Sequence, residues 1–375
     1  MRKIAAPLAL ACVLLGGCSS SSTPVAPIPI SVLPSPSNNG TVPASIVATS
    51  GYSVHVFATP PSGSTKPDSL VQIGRNVFVG FGDTLGPDGA PGTGGKTSVE
   101  IVRYDLTGKI VQTYEVPGHN DGLMAFDNST LWAMSNEDSN AILTIINIST
   151  GTQQSYTPQA SLVNSTGGLP HGGGLDDMQL IGGAVYVSGS NPTVSTTATC
   201  PANSSTPACP NGISTGPFVY ALTLNGDGKT FNLTPVATSG GTATNIATGA
   251  SATFNITDPD SEVVSPDGST LIVDGQGDSE LAFVKNLGST PAISFLPLGA
   301  EQVDDTRFAP SGSTFLVLTD TPANAIYRID GPFGAGNAFS SGITALDKLN
   351  TTSGATTPIV SGFQAPHGLL FVTPQ

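Results

Sequence analysis

Positive charge is what this sequence has least of. Its 375 residues carry 12 Lys and Arg against 26 Asp and Glu, a formal charge of −14. A nucleic-acid binder needs a basic footprint, and none exists here. So acidic a chain also disfavours broad contact with anionic lipid surfaces. Charge of either sign is scarce: 10% of residues is too little for a disordered polyelectrolyte, while 38% apolar residues can fill a core. Lys, Glu, Ala and Leu, which build helices well, give way to Ser, Thr, Asn, 45 Gly and 31 Pro, and this argues against an all-helical fold. Cysteine is nearly absent, with four in all, two of them at the N-terminus. Length permits one large domain or two ordinary ones.

What is present begins with an address. Arg2 and Lys3 precede an apolar run from Ile4 to Leu15, of signal-peptide length and too short to span a bilayer as a permanent helix. The run ends in Leu15-Gly16-Gly17-Cys18, which resembles the lipobox of bacterial lipoproteins. The resemblance implies loss of residues 1–17 as a signal peptide and lipidation of Cys18. Several acyl chains, at about 0.8 kcal/mol per buried CH₂, anchor a protein durably, so the lipid is the expected contact with the membrane. Residues 18–50, rich in Ser and Pro, read as a tether, and residues 51–375 as the folded domain. By the same resemblance, Ser19 after the cysteine implies the outer membrane. The protein is therefore expected in the bacterial cell envelope, its folded part outside the cytoplasm. There Cys200 and Cys209, the only cysteines of the folded part, most simply form a local disulfide. Two cysteines with no His nearby make a poor zinc site.

From residue 52 onward, short strand-like runs alternate with Gly, Asn and Asp turns, the pattern of an all-β chain. A unit of apolar run, tight turn and second apolar run recurs at 70–80, 123–134, 178–189, 262–275 and 306–320. A second hairpin follows at 99–116, 141–156, 219–236 and 281–298. Two hairpins make a four-stranded sheet, and a period of roughly 45–55 residues fits β-propeller blades. Blade three reads as lengthened by the cysteine loop and by the Gly/Thr-rich stretch 239–255. The C-terminal run 366–372 reads as the start of one more blade, and the N-terminal run 52–58 has none of its own. Both termini are thus expected to close the last blade. Six blades fit best, with five or seven left open because residues 333–365 look irregular.

Turns such as Ser265-Pro266-Asp267-Gly268-Ser269-Thr270 resemble those of the NHL/YVTN/SMP-30 group of β-propellers. Pro366-His367-Gly368-Leu369 is similar to the beginning of their blades. The group includes binding modules, lactonases and scaffolds, so the resemblance implies a fold more than an activity. Its gluconolactonase-like members imply a metal held by Glu, Asn and Asp. Here Glu262 follows Asp260 and Asn120 precedes Asp121, but the full set has no match.

Aligning the blades by their first strands puts Asp68, Asp121, Asp176, Asp260, Asp304 and His367 at one equivalent position. First strands line a propeller's channel, so these six residues should ring its axis. His119 and His171 fall in the same lead-in loops; His55 does not. A carboxylate ring is repulsive unless water, protons or a cation relieves it. Oxygen ligands suit Ca²⁺ and converging imidazoles suit Zn²⁺. The competing reading is that each Asp merely caps a turn. Trp132 reads as core. The expected role is binding or scaffolding at the cell envelope, with a protein or small molecule as partner and no nucleic acid. The alternative is a metal-dependent hydrolase of lactonase or sugar-processing type, with its site at the channel mouth.

Overall fold

Short apolar runs cut by turns leave the chain strands and little else, and each turn has its own chemistry. The computed structural model describes Ser35 and residues 40–373 apart from 160–173, 191–193, 196–198, 201–202, 206–208, 210, 300 and 313. His171 and Cys18 lie outside the described residues. In the turn after Ser265, the Asp267 carboxylate accepts the Ser269 N–H at 3.0 Å, while Gly268 takes φ 73°, a conformation that a Cβ would strain. Among the described residues there are two short 3₁₀ turns and no α-helix.

Six four-stranded antiparallel units form the body. Blade one is Pro67–Ile73, Asn76–Phe81, Ser98–Asp105 and Ile110–Pro117. Blade two is Asn120–Ala125, Thr130–Ser135, Ile142–Asn147 and Gln153–Pro158. Blade three is Met178–Ile181, Ala184–Ser188, Pro217–Leu224 and Thr230–Thr238. Blade four is Pro259–Val264, Thr270–Gly275, Glu280–Lys285 and Ala292–Pro297. The innermost strands touch their neighbours in a closed cycle that returns from blade six to blade one. Six buried apolar clusters lie one between each pair of adjacent blades. Phe57, Phe315 and Val317 of blade six, for example, pack on Val79 and Tyr104 of blade one. The molecule is an all-β, six-bladed propeller. Trp132 is buried and stacks on Phe126 with ring centroids 4.9 Å apart.

Blades five and six depart from the expected order. The run 306–320 is not a hairpin. Val303–Phe308 is the inner strand of blade five, but it pairs with Ala338–Gly342, followed outward by Ala345–Leu349 and Thr356–Ser361. Residues 333–365 are therefore not irregular; they supply three strands. The intervening Phe315–Asp320 and Ala325–Asp330 cross to blade six, between inner strand Pro366–Val372 and outer strand Ser53–Ala58. Both chain ends do complete the last blade. The Gly/Thr-rich stretch lengthens blade four instead of blade three: Thr242–Asn245 and Ser251–Thr253 form a hairpin on its outer strand. Val47–Ala48, placed in the tether by composition, pairs with the outer strand of blade five. Cys200 and Cys209 are disulfide-bonded, with Cα atoms 5.8 Å apart.

Candidate functional site at the channel mouth

In blades one, two and six, N–H groups of the loop leading into the inner strand are accepted by a side chain at or just after the end of the second strand. Asp83 Oδ1 accepts the Thr65 N–H at 2.6 Å, and Asn136 Oδ1 accepts the His119 N–H at 2.9 Å. Asp320 accepts those of Gln364 and Ala365, each at 3.0 Å. Asp83 and Asn136 both have positive φ, which Asp and Asn tolerate better than most residues. In blades two, three, five and six the position after the ring residue then locks one blade to the next. A Cβ on Gly122 would lie 2.2 Å from the Asp176 carbonyl oxygen, and one on Gly368 would lie 2.3 Å from that of Asp68. In blades three and five the same position is Asp. Asp177 Oδ2 accepts the Glu262 N–H at 3.1 Å, and Asp305 Oδ2 accepts that of Leu369 at 2.7 Å. Arg307 forms ion pairs with both, at 3.4 and 2.7 Å.

These devices bring Asp68, Asp121, Asp176, Asp260, Asp304 and His367 to the wall of one cavity of about 390 Å³, together with His119. His55 stands elsewhere, on the outer strand of blade six, 3.9 Å from Asp330. Asn120 and Glu262 do not line the cavity; Asn120 donates to the Met134 carbonyl at 2.7 Å. The set implied by the gluconolactonase resemblance is therefore not assembled. The cavity wall also contains Glu137, Asp138, Asp177, Asp258, Asp305 and Arg307, which the ring alignment missed. Glu137 and Asp138 follow the second strand of blade two, a loop that opens at the same mouth. The usable signal was an acidic pair directly after a strand's end, at Ser135-Asn136-Glu137-Asp138.

Two groups of side chains converge. In the first, ligand atoms of His119, Asp121 and Glu137 lie within 4.8 Å of one another. His119 Nδ1 is 3.0 Å from the Leu85 carbonyl, which can only accept, so Nδ1 carries the hydrogen and Nε2 points at Asp121 Oδ1, 3.5 Å away. Asp121 is 9% exposed, and its Oδ2 has no hydrogen-bond partner. Burial works against the His119 cation, but the Asp121 carboxylate, the Leu85 carbonyl and Asp68 outweigh it and push the pKa up to about 9. Glu137 is held well above the usual carboxylate range, first by the Asp121 charge and then by burial.

In the second group, His367 Nδ1 lies 3.3 Å from Asp68 Oδ2 and 3.2 Å from Asp304 Oδ2, although Asp68 and His367 stand near opposite ends of the chain. Gln276 Nε2 donates to Asp304 Oδ2 at 2.8 Å. Burial again opposes the cation, yet Asp304 and Asp68 push His367 up to about 10. Asp304 itself is pushed up to about 7, by burial against the pull of His367. Between the two groups, burial, with the neighbouring carboxylates, holds Asp176 and Asp260 well above their ordinary range, which favours their neutral acid forms. The mouth thus combines mixed nitrogen and oxygen donors with buried carboxyls disposed to keep their protons.

No protein-family model and no curated protein sequence matches the chain. Solved structures resemble it distantly. The periplasmic gluconolactonase PpgL of Pseudomonas aeruginosa is 12% identical, with 87% of this chain and 100% of that chain covered and a TM-score of 0.47. A luciferin-regenerating enzyme is 13% identical, with coverage of 86% and 85% and a TM-score of 0.45. A protein from Lactobacillus plantarum is 13% identical, with coverage of 83% and 89% and a TM-score of 0.45. Likenesses this distant assign no activity to this chain.

Proposed function

We propose that the protein is a lipid-anchored β-propeller of the bacterial cell envelope that binds a divalent transition metal at its channel mouth and hydrolyses small ester-type substrates such as lactones. The observation that supports this best is the first group of side chains. The His119 Nδ1 hydrogen is committed to the Leu85 carbonyl, which leaves Nε2 as the donor toward a metal, the arrangement in which metal-binding histidines are ordinarily held. Asp121 and Glu137 complete a set of one nitrogen and two carboxylates, three protein donors, the number with which a catalytic zinc keeps its fourth position open. A bound ion would supply Lewis acidity to the carbonyl under attack. The chain's own part is to hold the donors and exclude bulk water. Asp176 or Asp260, which burial disposes toward the acid form, would protonate the leaving oxygen. The proton lost by the attacking water would return to the same carboxylate, so that one water is consumed and the site regenerated.

The mature chain should carry metal through gel filtration. At a hundredfold excess over its dissociation constant the ion should stabilise the fold by about 2.7 kcal/mol, removable with EDTA. His119→Gln is expected to weaken metal binding by about 100-fold or more and to abolish lactone hydrolysis. Metal retained with no turnover of any lactone or ester would replace the hydrolase with a binding module. The Leu15-Gly16-Gly17-Cys18 sequence and the Cys200–Cys209 disulfide support the envelope location. Cys18→Ser should release the protein from membranes and abolish palmitate labelling; a variant still labelled and membrane-bound would refute the anchor.

A further inference from the structure

We infer that Arg307 is the floor of the mouth cavity and determines which substrates fit it. It shuts the polar mouth off from an apolar groove beneath, so a compact lactone is accepted and an aliphatic tail finds no site. The inference rests on the hydrolase reading of the mouth. The groove, of about 560 Å³, has Val263, Val264, Phe308, Leu370 and Phe371 in its wall. It continues the mouth cavity along the same three inner strands. On Pro259–Val264, Asp260 and Ser261 line the mouth and Val263 and Val264 the groove. On Pro366–Val372, His367 and Gly368 line the mouth and Leu370 and Phe371 the groove. On Val303–Phe308 the change comes at Arg307, which alone among the described residues lines both.

Three blades hold Arg307 in that place. It pairs with Asp305 of blade five at 2.7 Å and with Asp177 of blade three at 3.4 Å. Its Nη1 donates to the Glu262 carbonyl of blade four at 2.7 Å, and Gln179 of blade three donates to the same carbonyl at 2.8 Å. The two side chains make a polar crossbar between the mouth and the groove. Asp177 and Asp305 are buried, and parting a buried charge from its partner is strongly unfavourable, so the guanidinium does not swing aside. A tail on a substrate in the wild-type mouth can then point only toward solvent, where its methylenes bury nothing. Without the guanidinium the tail would enter the groove, and each CH₂ buried there favours binding about 4-fold, the equivalent of about 0.8 kcal/mol.

The test compares butyrolactone with lactones bearing alkyl tails of increasing length, up to octyl. In the wild type kcat/KM should not rise with tail length. In Arg307→Ala it should rise by about 10-fold or more across the series. Adding Leu370→Trp, which fills the groove, should cancel that rise. Arg307→Ala leaves Asp177 and Asp305 without their cation. Arg307→Lys, which keeps one beside them but loses the planar fork, is therefore the second variant and should show a smaller rise. Circular dichroism checks that each variant folds. Calorimetric affinity for the same lactones, measured in EDTA, reads the floor without turnover. Turnover with a rise already in the wild type, or with none in either variant, would overturn the floor and leave the hydrolase reading in place. No turnover, but affinity that rises with tail length only in the variants, would overturn the hydrolase and keep the floor. Neither turnover nor such a rise would overturn both.

Discussion

Glu262 lies two places beyond Asp260, where blades one, two and six have Leu70, Leu123 and Leu369 and blade three has Met178. It is fully buried, and neither carboxylate oxygen has a hydrogen-bond partner. Burial, with Asp177 and Asp176 nearby, holds its pKa well above the ordinary range, which favours the neutral acid. A buried polar group without partners destabilises by about 1–3 kcal/mol. Glu262→Leu, which restores the side chain of the other blades, should raise the urea midpoint correspondingly. A lowered midpoint would show that the carboxyl has a stabilising contact. The ring Asp residues were legible in the sequence because a position fixed relative to a turn repeats with the turn. Glu137 was not, because it belongs to a different loop and reaches the ring only through space.

At the scale of strands, the crossing between blades five and six was the feature the sequence concealed. Residues 306–320 contain two apolar runs around Pro310-Ser311-Gly312, locally the same signal as the true hairpins 70–80 and 123–134. Which run pairs with which depends on distant partners. Val303–Phe308 finds Ala338–Gly342, and Phe315–Asp320 finds Pro366–Val372. The last strand is therefore indispensable: it covers Phe315–Asp320, carries His367, and touches the inner strands of blades five and one. Ending the chain before Pro366 should bare that buried strand and abolish cooperative thermal unfolding, as followed by circular dichroism. A truncated protein melting like the full chain would mean the ring does not depend on this closure.

For the whole molecule, stability should fall as pH rises. Burial, with Asp278 and Asp138 nearby, pushes Asp258 up to about 6. Burial against the pull of Arg307 pushes Asp305 up to about 8, and burial with Glu301 pushes Asp347 up to about 6. A carboxyl whose folded pKa is raised keeps its proton where the unfolded chain, titrating near 4, has lost it. The native state then binds more protons, so the unfolding free energy declines as pH rises through that interval. Turn carboxylates act oppositely but elsewhere: Asp267, pulled down to about 2 by the Ser265 hydroxyl and the Ser269 N–H, matters only below pH 4. The urea midpoint measured in EDTA should accordingly be lower at pH 8 than at pH 5. A midpoint that rises over this range would contradict the burial of these groups.

Local chemistry was enough to determine that this chain is all-β, that it is built of repeated hairpins closed by both ends, and that an Asp, or in the last blade a His, leads into each inner strand. Those properties depend on turns and on alternation over a few residues, which are written contiguously. Tertiary structure alone decided the rest. It chose the strand partners of blades five and six among runs of equal local quality, and it moved the 242–253 hairpin from blade three to the edge of blade four. It also set Asp68 beside His367 and Glu137 beside Asp121. Ring closure makes such neighbours of residues far apart in sequence, because every inner strand must present its lead-in loop at the same end of one channel.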